Sequence, residues 1–291
     1  MKKLSLVLLS LFCLAGIAAG QRLHIGVFGG LAAYSGDLTD KIYPKKVTNG
    51  AIGLTANYEL TDNIMLRAGY TYAVVGGADR YSSKEGLRAR NLSFETSISE
   101  FSLLGEYYLL NLYDHRISPY VFAGLAIYHF NPYAYDSSTK VFLKPLSTEG
   151  QGLPGYADRE PYGLTQAAIP FGVGVKFAIT DKLHLGLELG IRKLFTDYLD
   201  DVSTDYADPA DLLAGRGQLS VDMSYRGDEV GNPLYPAKGA QRGSSRNKDN
   251  YYFTGLHLTY RLGGGSSGGT GLFGGGRKGN KNGIDCPVNV Y

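Results

Sequence analysis

The sequence predicts an all-β protein: an eight-stranded antiparallel transmembrane β-barrel with short turns at one end and long loops at the other. Three observations lead there. The chain opens with an export signal, its apolar residues recur with period two in paired segments, and its connections alternate between short and long.

Met1-Lys2-Lys3 is a basic start, Leu4 to Ala19 an apolar run, and Ala18-Ala19-Gly20 a small-residue cleavage site, so residues 1–20 read as a signal peptide. Phe12 stands where a lipoprotein signal needs a small residue before its cysteine, which argues against lipidation at Cys13. With Cys13 removed, Cys286 is alone and no disulfide forms within the mature chain. Two readings of Cys286 stay open, a free thiol and a bond to a partner. The net charge of +2 points neither to nucleic acid nor to a strongly acidic partner. Composition says more. The 291 residues include 40 Gly, 23 Tyr and 12 Phe but no Trp, which suits a barrel with small residues inside and tyrosines at its interfaces.

The hairpin Ile169 to Arg192 shows the alternation. Ile169, Phe171, Val173, Val175, Phe177 and Ile179 share one face; Thr180-Asp181-Lys182 turns; Leu183, Leu185, Leu187, Leu189 and Ile191 continue it. The opposite face is small or charged and carries Lys176, Glu188 and Arg192. Ala51 to Val74 repeats the design around Thr61-Asp62-Asn63, with Glu59 and Arg67 on the polar side. Four further strands complete the set: Arg22 to Ala32, Ser97 to Leu110, Ser118 to His129, and Tyr251 to Leu262. Most approach the roughly 9–11 residues of a tilted membrane-spanning strand. The segments 33–50, 77–96, 130–166 and 195–250 form the long loops, and an even strand count places both chain ends in the periplasm. The expected division is residues 1–20 signal, 21–262 barrel and 263–291 a Gly-rich tail.

A soluble lipocalin-like barrel would put the apolar face inside. Against it, the polar face is glycine-rich, with few charges per strand. That suits a narrow interior in which Glu59, Arg67, Glu100, Glu106, Lys176, Glu188, Arg192 and Arg261 pair. Eight strands leave room for side chains only, so a pore is not expected.

Three patterns invite chemistry. The run Asp197, Asp200, Asp201, Asp205, Asp208, Asp211 could hold calcium or supply paired carboxylates, but its spacing fits no EF-hand. The expectation is a solvated outer loop held by Asp and Ser/Thr turn bonds. His24, His184 and His257 share the inward register on neighbouring strands, where they could converge on a metal or join an interior network with Glu188 and Arg261. In the tail, Gly271 and Gly276 have P-loop spacing, but Arg277-Lys278 stands where Lys-Ser/Thr belongs. The tail reads as a linker, with Ile284 to Tyr291 either a docking peptide or disordered. No nucleophile elbow, zinc-protease helix or redox cysteine pair occurs, so neither an enzyme nor a cofactor is expected.

Several phrases are more specific than a barrel needs. "NLSFETSISEFSLLGEYYLLNLY" (91–113), "SPYVFAGLAIYHFNPYA" (118–134), "LKPLSTEGQGLPGY" (143–156), "IPFGVGVKF" (169–177) and "TDYLDDVSTDY" (196–206) occur in this order. Together they resemble a Bacteroidota outer-membrane β-barrel family that includes PorG of the type IX secretion system. The resemblance implies partnership: association with the periplasmic ring of the lipoprotein PorK and its companion PorN, and possible proximity to the outer-membrane translocon. The ring contact would lie on periplasmic turns, barrel base or tail, where Cys286 and Tyr291 are candidates. Asp197, Tyr198, Asp200 and Asp201 would begin an outward loop that folds over the barrel mouth or meets a membrane partner. A stand-alone structural or adhesive barrel is the alternative.

Overall fold

The computed structural model describes residues 22–39, 47–246 and 248–262. The expected signal peptide and the tail from Gly263, with Cys286 and Tyr291, lie outside the described residues.

Eight long strands form the wall: β1 (Leu23–Ser35), β2 (Thr48–Glu59), β3 (Ile64–Ala78), β4 (Ser93–Tyr108), β5 (Ile117–His129), β8 (Thr165–Ala178), β9 (Leu183–Leu194) and β10 (Asn250–Leu262). Two short strands, β6 (Tyr133–Asp136) and β7 (Thr139–Phe142), make a hairpin between β5 and β8. Every wall strand pairs antiparallel with its neighbour. β10 closes on β1 from Leu23↔Leu262 to Ser35↔Asn250, so the wall has no open edge and its backbone groups bond to one another.

Alternation decides the faces. Ile52 (65% exposed), Leu54 (63%), Phe101 (67%) and Leu125 (70%) point outward, as do Ile25, Val27, Val173 and Leu187. Inward positions such as Phe28, Arg67, Glu106, Phe122 and Glu188 are buried. The apolar belt follows the whole circumference, far beyond the patches a water-exposed surface tolerates.

The two "TD" turns share one device. Ile64 N donates to Thr61 Oγ1 (3.1 Å) and Leu183 N to Thr180 Oγ1 (3.0 Å), each threonine closing its turn with its own hydroxyl. The strands run further at the long-loop end than the apolar alternation foretold. β1 continues to Ser35, β3 to Ala78 and β9 to Leu194, while β4 begins at Ser93 and β8 at Thr165. Gly76 and Gly77 pair with Glu95 and Phe94 there, so the ladder continues where the apolar signal has ended.

Above this rim the long segments are folded. They contain the β6–β7 hairpin and three short helices, α1 (Glu85–Arg90), α2 (Pro209–Arg216) and α3 (Gln218–Ser224). α1 stops at Asn91 in the left-handed region (φ 56°). α2 starts at Asp208, whose side chain accepts from Ala210 N (2.9 Å), with Pro209 in the first turn. One apolar cluster joins barrel rim to loops, taking in Tyr34, Ile98, Phe130, Tyr162, Leu199 and Met223. Among the described residues, no helix is long and apolar enough to cross a membrane.

Candidate functional site: a charge-filled lumen under a folded cap

The lumen holds the eight predicted inward charges in three tiers. At the short-turn end, Glu59 receives His24 Nε2 (2.7 Å), the Tyr113 hydroxyl (2.5 Å) and Arg261 Nη2 (3.4 Å). In the middle, Arg67 donates from Nη1 to Glu188 Oε1 (2.5 Å). Its Nε lies 2.9 Å from Glu106 Oε1, a charge contact without hydrogen-bond alignment. Lys176 Nζ stands 3.4 Å from Glu106 Oε2, and Tyr108 bonds both partners of that pair. Tyr120 donates to Glu188 (2.6 Å), and His257 meets the same oxygen at 3.0 Å. Near the loops, Arg192 reaches Glu100 through Nε (3.2 Å) and Nη2 (3.3 Å), with Tyr251 as a second donor (2.6 Å).

Four carboxylates thus face four cations, and the lumen carries no net fixed charge. Such pairs are weak evidence of stability, but losing one member leaves a buried charge uncompensated. Glycines make room for the large partners: a β-carbon at Gly174 would lie 2.5 Å from the Tyr120 ring, and one at Gly190 would lie 2.5 Å from Arg192 Nη1. A cavity of about 30 Å3 between Arg67, Glu188 and Arg192 has room for a water or two.

Folded segments pack against both ends of the lumen. At the short-turn end, residues 109–116 fold under the barrel. Asn111 Oδ1 accepts from Tyr113 N (2.8 Å), Leu112 packs on the Met65–Leu104–Tyr108–Tyr120–Phe122 cluster, and Arg261 lies 5.2 Å from the Tyr113 ring.

At the other end the loops form a cap centred on two arginines. Arg90 grips Asp79 through Nε and Nη2 (both 2.7 Å), donates to Asp37 O (3.1 Å), and bonds the Arg242 carbonyl. Arg242 donates to Glu149 Oε1 (2.9 Å), Asp201 O (2.7 Å) and Ser224 O (3.1 Å). Four loops meet in these contacts.

Here the expectation of a solvated acidic loop is overturned. Asp197, Asp200 and Asp201 are buried and serve as internal acceptors. Thr148 (2.5 Å) and Tyr162 (2.7 Å) donate to Asp201, Ser203 Oγ donates to Asp197 Oδ2 (2.9 Å), and Val202 N donates to Asp200 (2.9 Å). Tyr198 stacks on Tyr162 with ring centroids 4.9 Å apart. The physical reason is supply: the loops bring enough amides, hydroxyls and tyrosines to replace water around these carboxylates. The rest of the run does different work. Asp208 caps α2, Asp211 accepts from Tyr156 (2.8 Å) and Lys238 (3.1 Å), and the Asp205 carbonyl accepts from Arg159 (2.7 Å).

Burial sets the protonation of this layer. It pushes Asp201 up to about 6 and Asp197 up to about 7. Asp200 and Asp249 are raised well above the usual carboxylate range, first by burial and then by neighbouring carboxylates. The Tyr34 hydroxyl lies against both Asp200 and Asp249 (3.1 Å to the latter) but has one proton to give. A carboxyl proton on Asp200 or Asp249 completes the pair of bonds.

The three inward histidines divide. His24 and His184 face each other at 5.7 Å between ring centroids, while His257 is held between Thr55 Oγ1 (2.7 Å) and Glu188. Glu106, Glu188 and His257 bring ligand atoms within 4.8 Å of one another, but Arg67 contacts all three and supplies the cation. Sequence reading missed Glu149, Arg242, Arg90, Asp79 and Asp249. Glu149 and Arg242 lie 93 residues apart and Asp249 lies 215 from Tyr34, while Arg90 and Asp79 meet across only 11 residues of loop, where period-two alternation carries no signal.

The geometry defines a closed, side-chain-filled eight-stranded barrel with an apolar outer wall and a folded cap. Residues 2–216, well over half of the chain, match the family described as a domain of unknown function, DUF6089, and the protein belongs to that family. No curated protein matches the chain. Among solved structures it is similar to Neisserial surface protein A, with a TM-score of 0.40 and 9% identity over 82% of this chain and 96% of that one. It is also similar to Ail, the attachment invasion locus protein of Yersinia pestis (TM-score 0.39, 8% identity, 82% and 97% covered). A third is the outer membrane protein OprG from Pseudomonas aeruginosa (TM-score 0.39, 12% identity, 84% and 99% covered). These likenesses are distant, and the closure of the barrel stands on its own strand pairing.

Proposed function

We propose that the protein is a non-enzymatic outer-membrane component of a type IX secretion system, related to PorG of Bacteroidota, that helps anchor a periplasmic PorK–PorN ring. The observation that carries the reading is a barrel with an apolar belt outside and a lumen filled by paired side chains, which suits a membrane anchor better than a channel. The secretion role rests on the resemblance of the loop phrases. Two of them are bonded to each other in the cap: Glu149 of "TEGQG" accepts from Ser203 N (2.9 Å) and Thr204 Oγ1 (2.6 Å) of "TDYLDDVST", and Thr148 donates to Asp201. In this reading the short-turn end faces the periplasm, and the ring contact lies on the turns or on residues 263–291.

A stand-alone adhesive barrel is the second reading, favoured by the exposed Leu213, Leu219, Val230 and Leu234 of the cap segment. The test is affinity purification of the tagged protein from separated native membranes in mild detergent, with and without residues 263–291, followed by mass spectrometry. Ring proteins recovered with the barrel in the outer-membrane fraction support the role, and their loss on truncation assigns the contact to the tail. A correctly inserted barrel recovered without ring proteins overturns it.

A further inference from the structure

Near the short-turn end of the lumen, one belt of inward side chains is less well satisfied than the tiers above. His24 lies across from Asn57 on β2, and Thr259 lies across from His184 on β9. All four are buried. Asn57 Oδ1, His184 Nδ1 and Thr259 Oγ1 have no hydrogen-bond partner among the described residues. Buried polar atoms are rarely left without partners, so three in one belt point to something that binds there.

The ring arrangement narrows the choice. His24 Nε2 is held by Glu59 Oε1 at 2.7 Å. A carboxylate on one imidazole nitrogen fixes the tautomer, leaves the lone pair on the other, and makes that nitrogen a better ligand. His184 faces His24 with ring centroids 5.7 Å apart and planes tilted by 40°. An ion about 2.0–2.1 Å from one nitrogen of each ring would lie about 3.2 Å from each centroid, so this separation corresponds to a nitrogen–metal–nitrogen angle of roughly 125°. The Asn57 carbonyl oxygen and the Thr259 hydroxyl are the further oxygen donors of the belt.

We propose that His24 and His184, backed by Glu59 and completed by Asn57, bind a first-row transition-metal ion of the zinc, nickel or copper class inside the barrel. The two imidazoles select these ions over magnesium or calcium, which take oxygen ligands. Glu59, which also faces Arg261, is the carboxylate behind the site, and the nearby Lys176 is engaged by Glu106 and Tyr108. His257, committed to Thr55 and Glu188, takes no part. The ion would lock β1, β2 and β9 together directly above the Tyr113 seal.

The test uses the full mature chain without a polyhistidine tag, refolded in detergent with zinc or copper(II) and dialysed against metal-free buffer. Metal content is measured by mass spectrometry, and the copper form by paramagnetic resonance. The expected result is one retained ion per chain with nitrogen couplings from two imidazoles. Retention falls to background in His24→Asn/His184→Asn and is unchanged in His257→Asn. Glu59→Gln weakens binding roughly 10–100-fold. Where a variant fails to fold, the copper spectrum of the native chain decides. No retained ion, retention equal in the double variant, or a spectrum without two nitrogen ligands overturns the site and assigns the three polar atoms to water.

Discussion

Arg242→Met is the sharpest test of the cap. The substitution keeps most of the side-chain volume and removes the charge, leaving Glu149, itself fully buried, without its only ion-pair partner among the described residues. The hydrogen bonds to Asp201 O and Ser224 O go at the same time. Removing one partner of a buried pair costs about 3–5 kcal/mol. At about 1.4 kcal/mol per factor of ten, the open cap becomes roughly two to nearly four powers of ten more populated. Arg242 O also receives Arg90, but that bond uses the backbone and survives the change. The cost therefore falls on the contact between the 130–166 and 195–250 loops rather than on the barrel wall.

The assay is proteolysis of the barrel in lipid nanodiscs with proteinase K, which does not depend on arginine, read by mass spectrometry. Cleavage tracks the open population when reclosing is fast, so sites between residues 144 and 160 or 200 and 245 are expected to be cut at least 100-fold faster. Barrel heat-modifiability stays unchanged. Arg242→Met combined with Glu149→Gln recovers part of the loss, since the stranded charge is gone. Cleavage within threefold of the native rate would refute the reasoning, as would a double variant no better protected than the single one. The first result would mean that the Arg242 side chain does not hold the cap, and the second that its loss does not act through the stranded Glu149 charge.

The buried carboxylates set a pH dependence of definite sign. Asp201 sits at about 6 and Asp197 at about 7, against about 3.9 for an unfolded aspartate, so the folded cap binds protons that the open cap releases. Their stabilisation is complete below about pH 4 and is lost as pH rises through 6 and 7. For the fully buried Asp201 alone, two units correspond to about 3 kcal/mol. Amide exchange across 197–204, corrected for the intrinsic rate, should report easier opening at pH 8 than at pH 5, and Asp201→Asn should flatten the profile. A flat native profile, or protection that increases with pH, contradicts this. Within the wall, Arg67→Met strands Glu188 and leaves Glu106 with Lys176 only. The expected loss is about 3–5 kcal/mol, seen as a lower unfolding temperature in the heat-modifiability assay and partly restored by adding Glu188→Gln.

The wall was legible in the sequence because a barrel strand is read two residues at a time. Ile52 and Leu54 outward with Glu59 inward, or Val173 and Val175 outward with Lys176 inward, follow from period two alone, and the threonine turns fix where each hairpin reverses. The strand ends were less legible. From Val75 to Ala78 and from Ser93 to Thr96 the ladder continues without an outward apolar face, and what recruits these residues, Val75 and Phe94 among them, is the cluster under the cap rather than lipid beside them. The cap itself was not legible. Asp201 reads as a solvated acid until Thr148, Tyr162 and Arg242 arrive from 39 to 53 residues away. A carboxylate's neighbours, not its own identity, determine whether burial is tolerable.

The packing at both ends and within the lumen constrains what the molecule can do. Tyr113 and Leu112 close the short-turn end, paired charges fill the middle, and the Arg90–Arg242 contacts tie four loops over the top. A conducting pore would need a continuous wet path, and opening one here would separate Glu106, Glu188 and Glu100 from the cations that make their burial tolerable. Transport through the wall is thereby disfavoured at every level of the lumen. What remains for partners is the outside: the short-turn face beneath Tyr113 and the outer surface of the cap, where Leu213, Val230 and Leu234 are exposed on a folded base. A rigid base matters for that use, because a surface already ordered by Arg242 and Glu149 loses little further conformational entropy on binding. Loosening the cap should therefore weaken any cap-side partner while leaving a partner on the short-turn face untouched, and the Arg242→Met variant separates the two sides in a single purification.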